Sequence, residues 1–262
     1  EEFEIEKINL IEISEDLSIA KETVRRKVNE LSKEQIIQRS GKKIVLRPLT
    51  FVHQRPKHSV KTLSQFLSVC SKFLATQEWF GPAIEAKAIE DFTRTNFTLV
   101  WRFFFRFKIP FLIRQRKFHG DLETFIVAGT IFANHIVRLK EKYKNNPLQI
   151  DETIGDVEVN NYMKWARFII THKEKILGMN ASSISEVTGI PRATVIRKLR
   201  ITEKKGLLHK DNQQLYTIGK NYKSKLKDLE KVFTENQTDL CRFVSTFFEL
   251  FRNKNLNKNL NI

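Results

Sequence analysis

Apolar residues recur every three or four positions over most of the chain, which is the spacing of amphipathic helices. Two short regions depart from that spacing. Ile36–Arg39 with Lys43–Arg47, and Leu207–Lys210 with Gln214–Ile218, are each a pair of short β-prone runs separated by polar or glycine positions, which predicts two β-hairpins. The pattern therefore predicts a mainly α protein with two small hairpins.

The two hairpin regions belong to an internal repeat. A shift of 171 residues aligns Ile13–Ile44 with Ile184–Leu215 without a gap. In this alignment the sequence TVRRKV at 23–28 matches TVIRKL at 194–199. Both copies show the same order of features: a short helix, a tight turn, a second helix and a hairpin. A shared order over so many positions indicates two copies of one structural unit.

The second copy carries the clearer helix boundaries. Ser183–Thr188 is predicted to be a short helix opened by a capping box that Glu186 completes. Gly189 suits a left-handed turn, and Pro191 suits the first turn of a second helix over Arg192–Lys205. Two helices joined by a tight turn and followed by a hairpin form a winged helix-turn-helix.

In the first copy, Ile13–Leu17 and Lys21–Lys33 are the two predicted helices. Ser18 takes the place of the turn glycine, and Gln35 takes the place of Gly206. The apolar positions expected to face inward in the two copies are Val24, Val28, Leu31, Ile190, Val195 and Leu199.

These residues resemble bacterial winged helix-turn-helix transcription regulators, the broad group with the MarR- and GntR-type repressors. The resemblance rests on GIPRATVIRKL at 189–199, KGLL at 205–208 and KETVRRKVNEL at 21–31. It covers about forty residues in each copy and none of the region between them. It implies that the second helix and the wing of each copy bind DNA. Thr202 departs from the resemblance, because that group usually keeps a leucine there.

The outward side chains of the second helices and the wings are the candidate DNA contacts. Arg197 and Arg200 suit guanine edges in the major groove, whereas Thr194 suits a phosphate. Glu22 either accepts from a cytosine amino group or weakens binding. The competing interpretation is that these are solvated faces of units used for protein contacts. The predicted contacts are Lys21, Thr23, Arg25, Arg26, Asn29, Lys42 and Lys43 in the first copy and Arg192, Thr194, Arg197, Arg200, Lys204 and Lys210 in the second.

The region between the copies is predicted to be helical. Ser59–Thr76 forms one helix, and a long helix runs from Pro82 to Ile109, where Pro110 ends it. Asp121 caps a further helix, of which Phe125–Val137 is apolar nearly all round and is predicted to be buried.

That helix is predicted to end at Asn145–Pro147, and a lead-in helix at 160–177 follows an acidic connector. The helical middle is either a packed spacer, which we favour, or an effector site for a small molecule. The aromatic residues that would line such a site are Trp79, Trp101, Phe104 and Phe107. The basic cluster at 114–117 either binds a phosphate of the flanking DNA or lies in a solvated loop.

A long helix is predicted from Lys220 to Arg252, with apolar residues at alternating steps of three and four. Such a seam packs against another helix, and its polar member Asn236 is of the kind that fixes register. The partner is either a second chain, which would make a homodimer, or the Phe-rich middle. The apolar seam residues are Leu226, Leu229, Phe233, Leu240, Phe243, Phe247 and Leu250.

The expected domain organisation has five parts. They are a first winged unit at 1–50, a helical connecting domain at 51–147, a lead-in helix with the second winged unit at 148–219, the packing helix at 220–252, and a disordered tail at 253–262.

Charge indicates the partner. The chain has 262 residues, a net charge of +16 and a sequence pI near 9.8, as expected for a protein that binds a polyanion. Charge concentrates in the repeats: 13–50 holds 9 basic residues against 5 acidic, and 181–220 holds 8 against 3.

Other classes of function find no support in the sequence. Cys70 and Cys241 cannot form a zinc cluster or a disulfide framework, and the six histidines have no metal-ligand spacing. Phosphate-loop, nucleophile-elbow and dinucleotide motifs are lacking, so we expect no enzyme, metal or cofactor. The longest aromatic run, 99–110, is interrupted by basic residues, so no membrane partner is expected and the predicted location is the cytoplasm, at the nucleoid.

These observations predict a sequence-specific, double-stranded DNA-binding transcriptional regulator. Two alternatives keep the same fold. One is a replication initiator with paired winged units, and the other is a structural adaptor that uses the winged units for protein contacts.

Overall fold

The computed structural model describes residues 3–5, 9–17, 19–40, 43–46, 57–79, 81–142 and 177–259, and it is mainly helical there. The chain divides into two compact units, residues 1–100 and 101–262. The predicted domain boundaries at 50 and 147, the lead-in helix at 160–176, and the repeat positions Ser18 and Lys42 lie outside the described residues.

The first unit begins with a helix-turn-helix followed by a hairpin. The hairpin strands pair antiparallel with Ile37 opposite Leu46, and a further strand joins them in the order β1-β3-β2. That third strand is not among the elements predicted from the sequence. The elements are β1 (Phe3–Ile5), α1 (Leu10–Asp16), α2 (Lys21–Lys33), β2 (Ile37–Ser40), β3 (Lys43–Leu46), α3 (Lys57–Thr76) and α4 (Ala86–Thr95).

A small apolar core holds α1 and α2 together. Val24 and Val28 of α2 are buried with Ile37 of β2, and Ile13 packs against them. Leu31, expected to face inward, is instead 36% exposed. It sits in the last turn of α2, where this short core no longer covers the helix.

The predicted helix from Pro82 to Ile109 is wrong. Two helices occupy that region, α4 and then α5 (Phe97–His119), and Asn96 separates them. The Asn96 side chain donates to the Phe92 carbonyl oxygen at 3.0 Å, so it satisfies a carbonyl at the end of α4.

Pro110 was expected to end a helix, but it lies inside α5. Contacts on both sides of the proline hold the helix together. Before it, Phe107 stacks on Phe243 with ring centroids 6.1 Å apart, and after it Arg114 pairs with Asp239 at 2.5 Å. Tertiary packing therefore outweighs the local cost of the missing N–H.

The second unit holds the second copy of the repeat. Its core joins Ile184, Val195 and Leu199 to Val127 and Ile131 of the preceding helix, all fully buried. The elements of this unit that follow α5 are α6 (Leu122–Lys142), α7 (Ala181–Thr188), α8 (Arg192–Lys204), β4 (Leu208–Lys210), β5 (Tyr216–Ile218), a 3₁₀ helix (Lys220–Lys225) and α9 (Leu226–Asn259).

α6 begins as predicted, with the Asp121 carboxylate accepting from the Thr124 N–H at 2.8 Å. It is not buried all round, because Ile126 and Val137 are exposed. The stretch Leu122–Leu139 is long and apolar enough to cross a membrane by length and composition alone, which is weak support for a span. Of this stretch 39% is buried, and the buried residues include Val127 and Ile131 in the core of the second unit.

One helix start in the second copy differs in detail from the prediction. α7 begins at Ala181, and its cap is Asn180, whose side chain accepts from the Ser183 N–H at 2.8 Å, in place of the predicted capping box. Gly189 has the expected left-handed backbone, with a φ of 70°.

The predicted terminal helix is a 3₁₀ helix followed by α9. Because α9 continues to Asn259, residues 253–259 of the expected disordered tail are helical. Its seam residue Phe243 is buried and lies 5.7 Å from the ring of Phe104, so this part of the seam packs on the Phe-rich middle of the same chain. Homodimerisation through α9 stays a prediction.

Candidate nucleic-acid interface

The exposed face of α2 brings together most residues predicted to contact DNA in the first copy. Lys21, Arg25, Arg26 and Asn29 are exposed, and Thr23 is half-buried. Thr23, Arg25, Arg26 and Asn29 line one shared surface pocket, and the burial of Val24 and Val28 fixes which side of the helix faces the core.

Acidic side chains lie on the same helix and form ion pairs with some of its basic side chains. Arg25 donates to both carboxylate oxygens of Glu22 at 2.6 and 2.9 Å, and the hydrogen bond from Arg25 keeps the pKa of the Glu22 carboxyl below its ordinary value. Lys27 pairs with Glu30 at 2.6 Å. Such exposed pairs are weak, so a phosphate can displace the carboxylate at small cost.

α8 presents the corresponding face in the second copy. Arg192, Arg197, Arg200 and Lys204 are exposed, and Thr194 is half-buried. Arg192 Nε donates to Ser182 Oγ at 3.0 Å, which ties the start of α8 to α7. Arg197 lies 3.7 Å from the Glu123 carboxylate.

One apolar residue on the α8 face was missed by the sequence analysis. Ile201 is 41% exposed and lies one helical turn from both Arg197 and Lys204. An exposed branched side chain among cations suits apolar contact with a thymine methyl group. The position of Ile201 on the helical wheel, beside Arg197, indicates in the sequence that this residue lies on the exposed face.

Lys198, in contrast, does not belong to the exposed face. It is 5% exposed, and its Nζ lies 2.7 Å from Asp121 Oδ1 and 3.1 Å from Glu123 Oε2. Burial opposes ionisation of Asp121, but hydrogen bonds from Lys198 and Thr124 outweigh it, so the pKa of Asp121 lies below its ordinary value. This lysine therefore fastens α8 to the start of α6.

The second hairpin is fixed by its turn. Asp211 Oδ1 accepts from the N–H groups of Gln213 and Leu215 at 2.9 and 2.8 Å. Lys210, a predicted wing contact, lies with its Nζ 5.7 Å from the centre of the Tyr216 ring. In the first copy, Lys42 and the side chain of Lys43 fall outside the described residues.

The basic cluster at 114–117 lies in α5, so the expected solvated loop is wrong, and phosphate binding by this cluster stays a prediction. Arg114 is bound to Asn236 at 2.7 Å and to Asp239, and Gln115 is buried. The four aromatic residues expected around an effector do not line one site. Trp79 is 74% exposed, and of the four only Phe107 lines the large cavity found among the described residues of the second unit.

Other chemistry finds little support in the described part of the chain. No group of three or more His, Cys, Asp or Glu side chains there is placed to hold a metal ion. Cys241, expected to be an apolar filler, is exposed, and Cys70 is half-buried.

Comparison with known proteins bears on the first copy. Residues 4–41 match the DeoR-like helix-turn-helix domain, a span that contains α1 and α2. No curated protein and no solved structure matches the chain. The match supports a DNA-binding helix-turn-helix transcriptional regulator, while the closer resemblance to MarR- and GntR-type regulators stays a prediction.

Proposed function

We propose that this chain is a sequence-specific transcriptional regulator that grips double-stranded DNA with two winged helix-turn-helix units, one in each half. The observation that carries the proposal is the pair of exposed cationic faces on α2 and α8, the first within a DeoR-like domain.

Repeated local geometry supports the idea of two equivalent units. α2 at 21–33 and α8 at 192–204 correspond residue for residue under the shift of 171. Ser14 Oγ donates to the Ile19 carbonyl at 2.6 Å, and its counterpart Ser185 donates to the Ile190 carbonyl at 2.7 Å. The same bond crosses the turn between the helices in both copies.

The repeat extends beyond the second helix. Gln35 has a φ of 57°, and its counterpart Gly206 has a φ of 67°. In both copies the backbone therefore leaves the second helix through a residue in the left-handed conformation. The next N–H, of Ile36 or of Leu207, donates to a carbonyl five residues earlier, at 3.0 and 3.1 Å. These matching turns direct each chain into its hairpin.

In this proposal α2 and α8 lie in the major groove, where Arg26, Arg197 and Arg200 reach base edges and Thr23 and Thr194 hold phosphates. The hairpins act as wings that contact flanking phosphates. Such a protein works in the cytoplasm, at the nucleoid. The initiator and adaptor alternatives have no structural observation in their favour.

The proposal is tested by selecting bound fragments from random duplex DNA with the full chain, and then measuring affinity for the selected duplex. Arg26→Ala and Arg200→Ala should each cost about 1–3 kcal/mol and relax the preference at one base pair. Arg102→Ala is the matched control, because Arg102 is exposed but lies on α5.

If all three variants lose the same small amount of affinity for the selected duplex, the assignment of the α2 and α8 faces to DNA binding is contradicted. Salt titration separates the classes of function. A regulator should show a log–log slope of about −0.9 per phosphate contacted, whereas a protein adaptor would bind DNA weakly and without sequence preference.

A further inference from the structure

The second unit contains a cavity of about 420 Å³ that DNA binding does not use. It lies between α5, α6, the 3₁₀ helix and α9, and every residue that lines it belongs to the second unit. Its volume falls in the range of small-molecule sites.

Aromatic side chains make much of the cavity wall. Phe111 lies 5.8 Å from both Phe107 and Phe125, and its contact with Phe125 is edge-on. Phe132 completes this part of the lining. Walls of this kind favour a flat apolar body, since ring faces and edges both offer contact.

Five side chains with polar groups interrupt the apolar wall: Gln115, His119, Tyr222, Asn236 and Gln237. Asn236 is 7% exposed. Its carbonyl oxygen accepts from Arg114 Nε at 2.7 Å, and Arg114 is itself held by Asp239, so the orientation of the amide is fixed. Among the described residues, nothing accepts a hydrogen bond from Asn236 Nδ2.

His119 supplies a second unsatisfied polar atom. Within the described residues its Nδ1 has no hydrogen-bond partner. Burial lowers the pKa of His119 to about 4, so the ring is neutral near pH 7 and Nδ1 can accept or donate according to tautomer. Leaving buried polar atoms unpaired is costly, and a ligand that pairs with them recovers that cost.

We propose that this cavity binds an uncharged aromatic molecule bearing a carbonyl group, and that its occupancy regulates DNA binding by the second unit. The carbonyl oxygen accepts from Asn236 Nδ2, and the ring lies among the phenylalanines. The regulatory half of this proposal rests on the proposed function.

α6 connects the cavity to the second helix-turn-helix. Phe125 and Phe132 line the cavity, while Val127 and Ile131 of the same helix pack with Val195 of α8. A molecule that fills the cavity therefore constrains the helix on which α8 rests.

Binding is tested by titration calorimetry on the full chain with acetophenone and with α-methylstyrene, which has nearly the same shape but carries C=CH2 in place of the carbonyl. Both should bind, and acetophenone about threefold to tenfold more tightly, the worth of one net hydrogen bond. Asn236→Asp keeps the acceptor for Arg114 but removes the donor, so it should abolish that preference.

Gly129→Leu should block the cavity. A Cβ at Gly129 meets its nearest atom, Phe125 Cε2, at 3.8 Å, which is ordinary contact, so the backbone accepts a side chain there. Ile126→Ala is the control, because Ile126 is exposed on the same helix and does not line the cavity. Unchanged affinity in Gly129→Leu, or failure of either probe to bind the natural chain at millimolar concentration, overturns the site.

Regulation is tested by measuring affinity for the selected duplex with and without saturating acetophenone. A change of threefold or more that disappears in Gly129→Leu supports it. If the chain binds the duplex with equal affinity in both conditions, the regulatory half is overturned. If the chain binds no duplex, the proposed function fails with it, while the calorimetry still decides the cavity.

Discussion

The buried ion pair of Lys198 gives the sharpest test of how the second unit is held together. Replacing Lys198 by Met keeps an aliphatic stem of similar length and removes only the charge. The variant therefore separates the ion pair from the packing of the stem against α6.

The magnitude follows from the surroundings of the three charges. Breaking a fully buried pair costs about 3–5 kcal/mol, because the remaining charge stays desolvated. Here the side chains of Asp121 and Glu123 are 45% and 50% exposed, so water can solvate them once the ammonium is gone. We expect Lys198→Met to lower the free energy of unfolding by about 1–2 kcal/mol. Lys198→Ala also loses buried methylenes at about 0.8 kcal/mol each, and should cost about 3–4 kcal/mol.

The assay is urea unfolding of the full chain together with hydrogen exchange of the amides of α8, which reports on the second unit directly. Lys204→Met is the matched control, because Lys204 is exposed on the same helix. It should change stability by less than about 0.5 kcal/mol but weaken DNA binding. Lys198→Met should lower the stability of the second unit and change DNA binding little. If the two variants destabilise α8 equally, Lys198 does not fasten α8 to α6.

Three further predictions concern single side chains. Gln35→Gly should stabilise the first unit by about 0.5–1 kcal/mol, whereas Gly206→Ala should destabilise the second by about 1–3 kcal/mol, both by urea unfolding, because both positions have positive φ. Burial lowers the pKa of His135 to about 4 from 6.5, so its contribution to stability is complete above pH 6.5 and is lost as pH falls towards 4. Between pH 7.5 and 5.0 the natural chain should therefore lose about 2 kcal/mol more than His135→Leu, and equal losses would contradict the assignment. Glu22→Gln should release Arg25 and raise affinity for the selected duplex severalfold in filter binding; lower affinity would indicate that Glu22 reads a base.

The helix-turn-helix elements were predictable because their determinants are local. α2 has the predicted bounds, and α8 ends one residue before its predicted end. Val24, Val195 and Leu199 are buried as helical periodicity requires. Spacing of apolar residues and the left-handed turn at Gly189 act within a few positions, so the sequence alone carries them.

Sequence patterns did not predict the structure at positions where contacts with residues far along the chain determine it. Pro110 reads locally as a helix end, yet Phe243 and Asp239, more than a hundred residues later, hold α5 together on both sides of it. A lysine at position 198 does not by itself predict a buried side chain, and the burial of Lys198 depends on carboxylates that lie at the start of α6. Neither contact leaves a trace in the spacing of nearby residues.

Each copy of the repeat is joined by one further element that the repeat itself does not contain. The first copy forms its small core from α1, α2 and β2, whereas the core of the second copy includes residues of a helix outside the repeat. The first copy gains β1, which widens its sheet, and the second gains α6, whose Val127 and Ile131 enter its core. α6 packs on two sides, since Phe125 and Phe132 face the cavity, and this explains an apolar stretch that no single face would need. α6 is thus part of the second compact unit, and changes in α6 should affect α8.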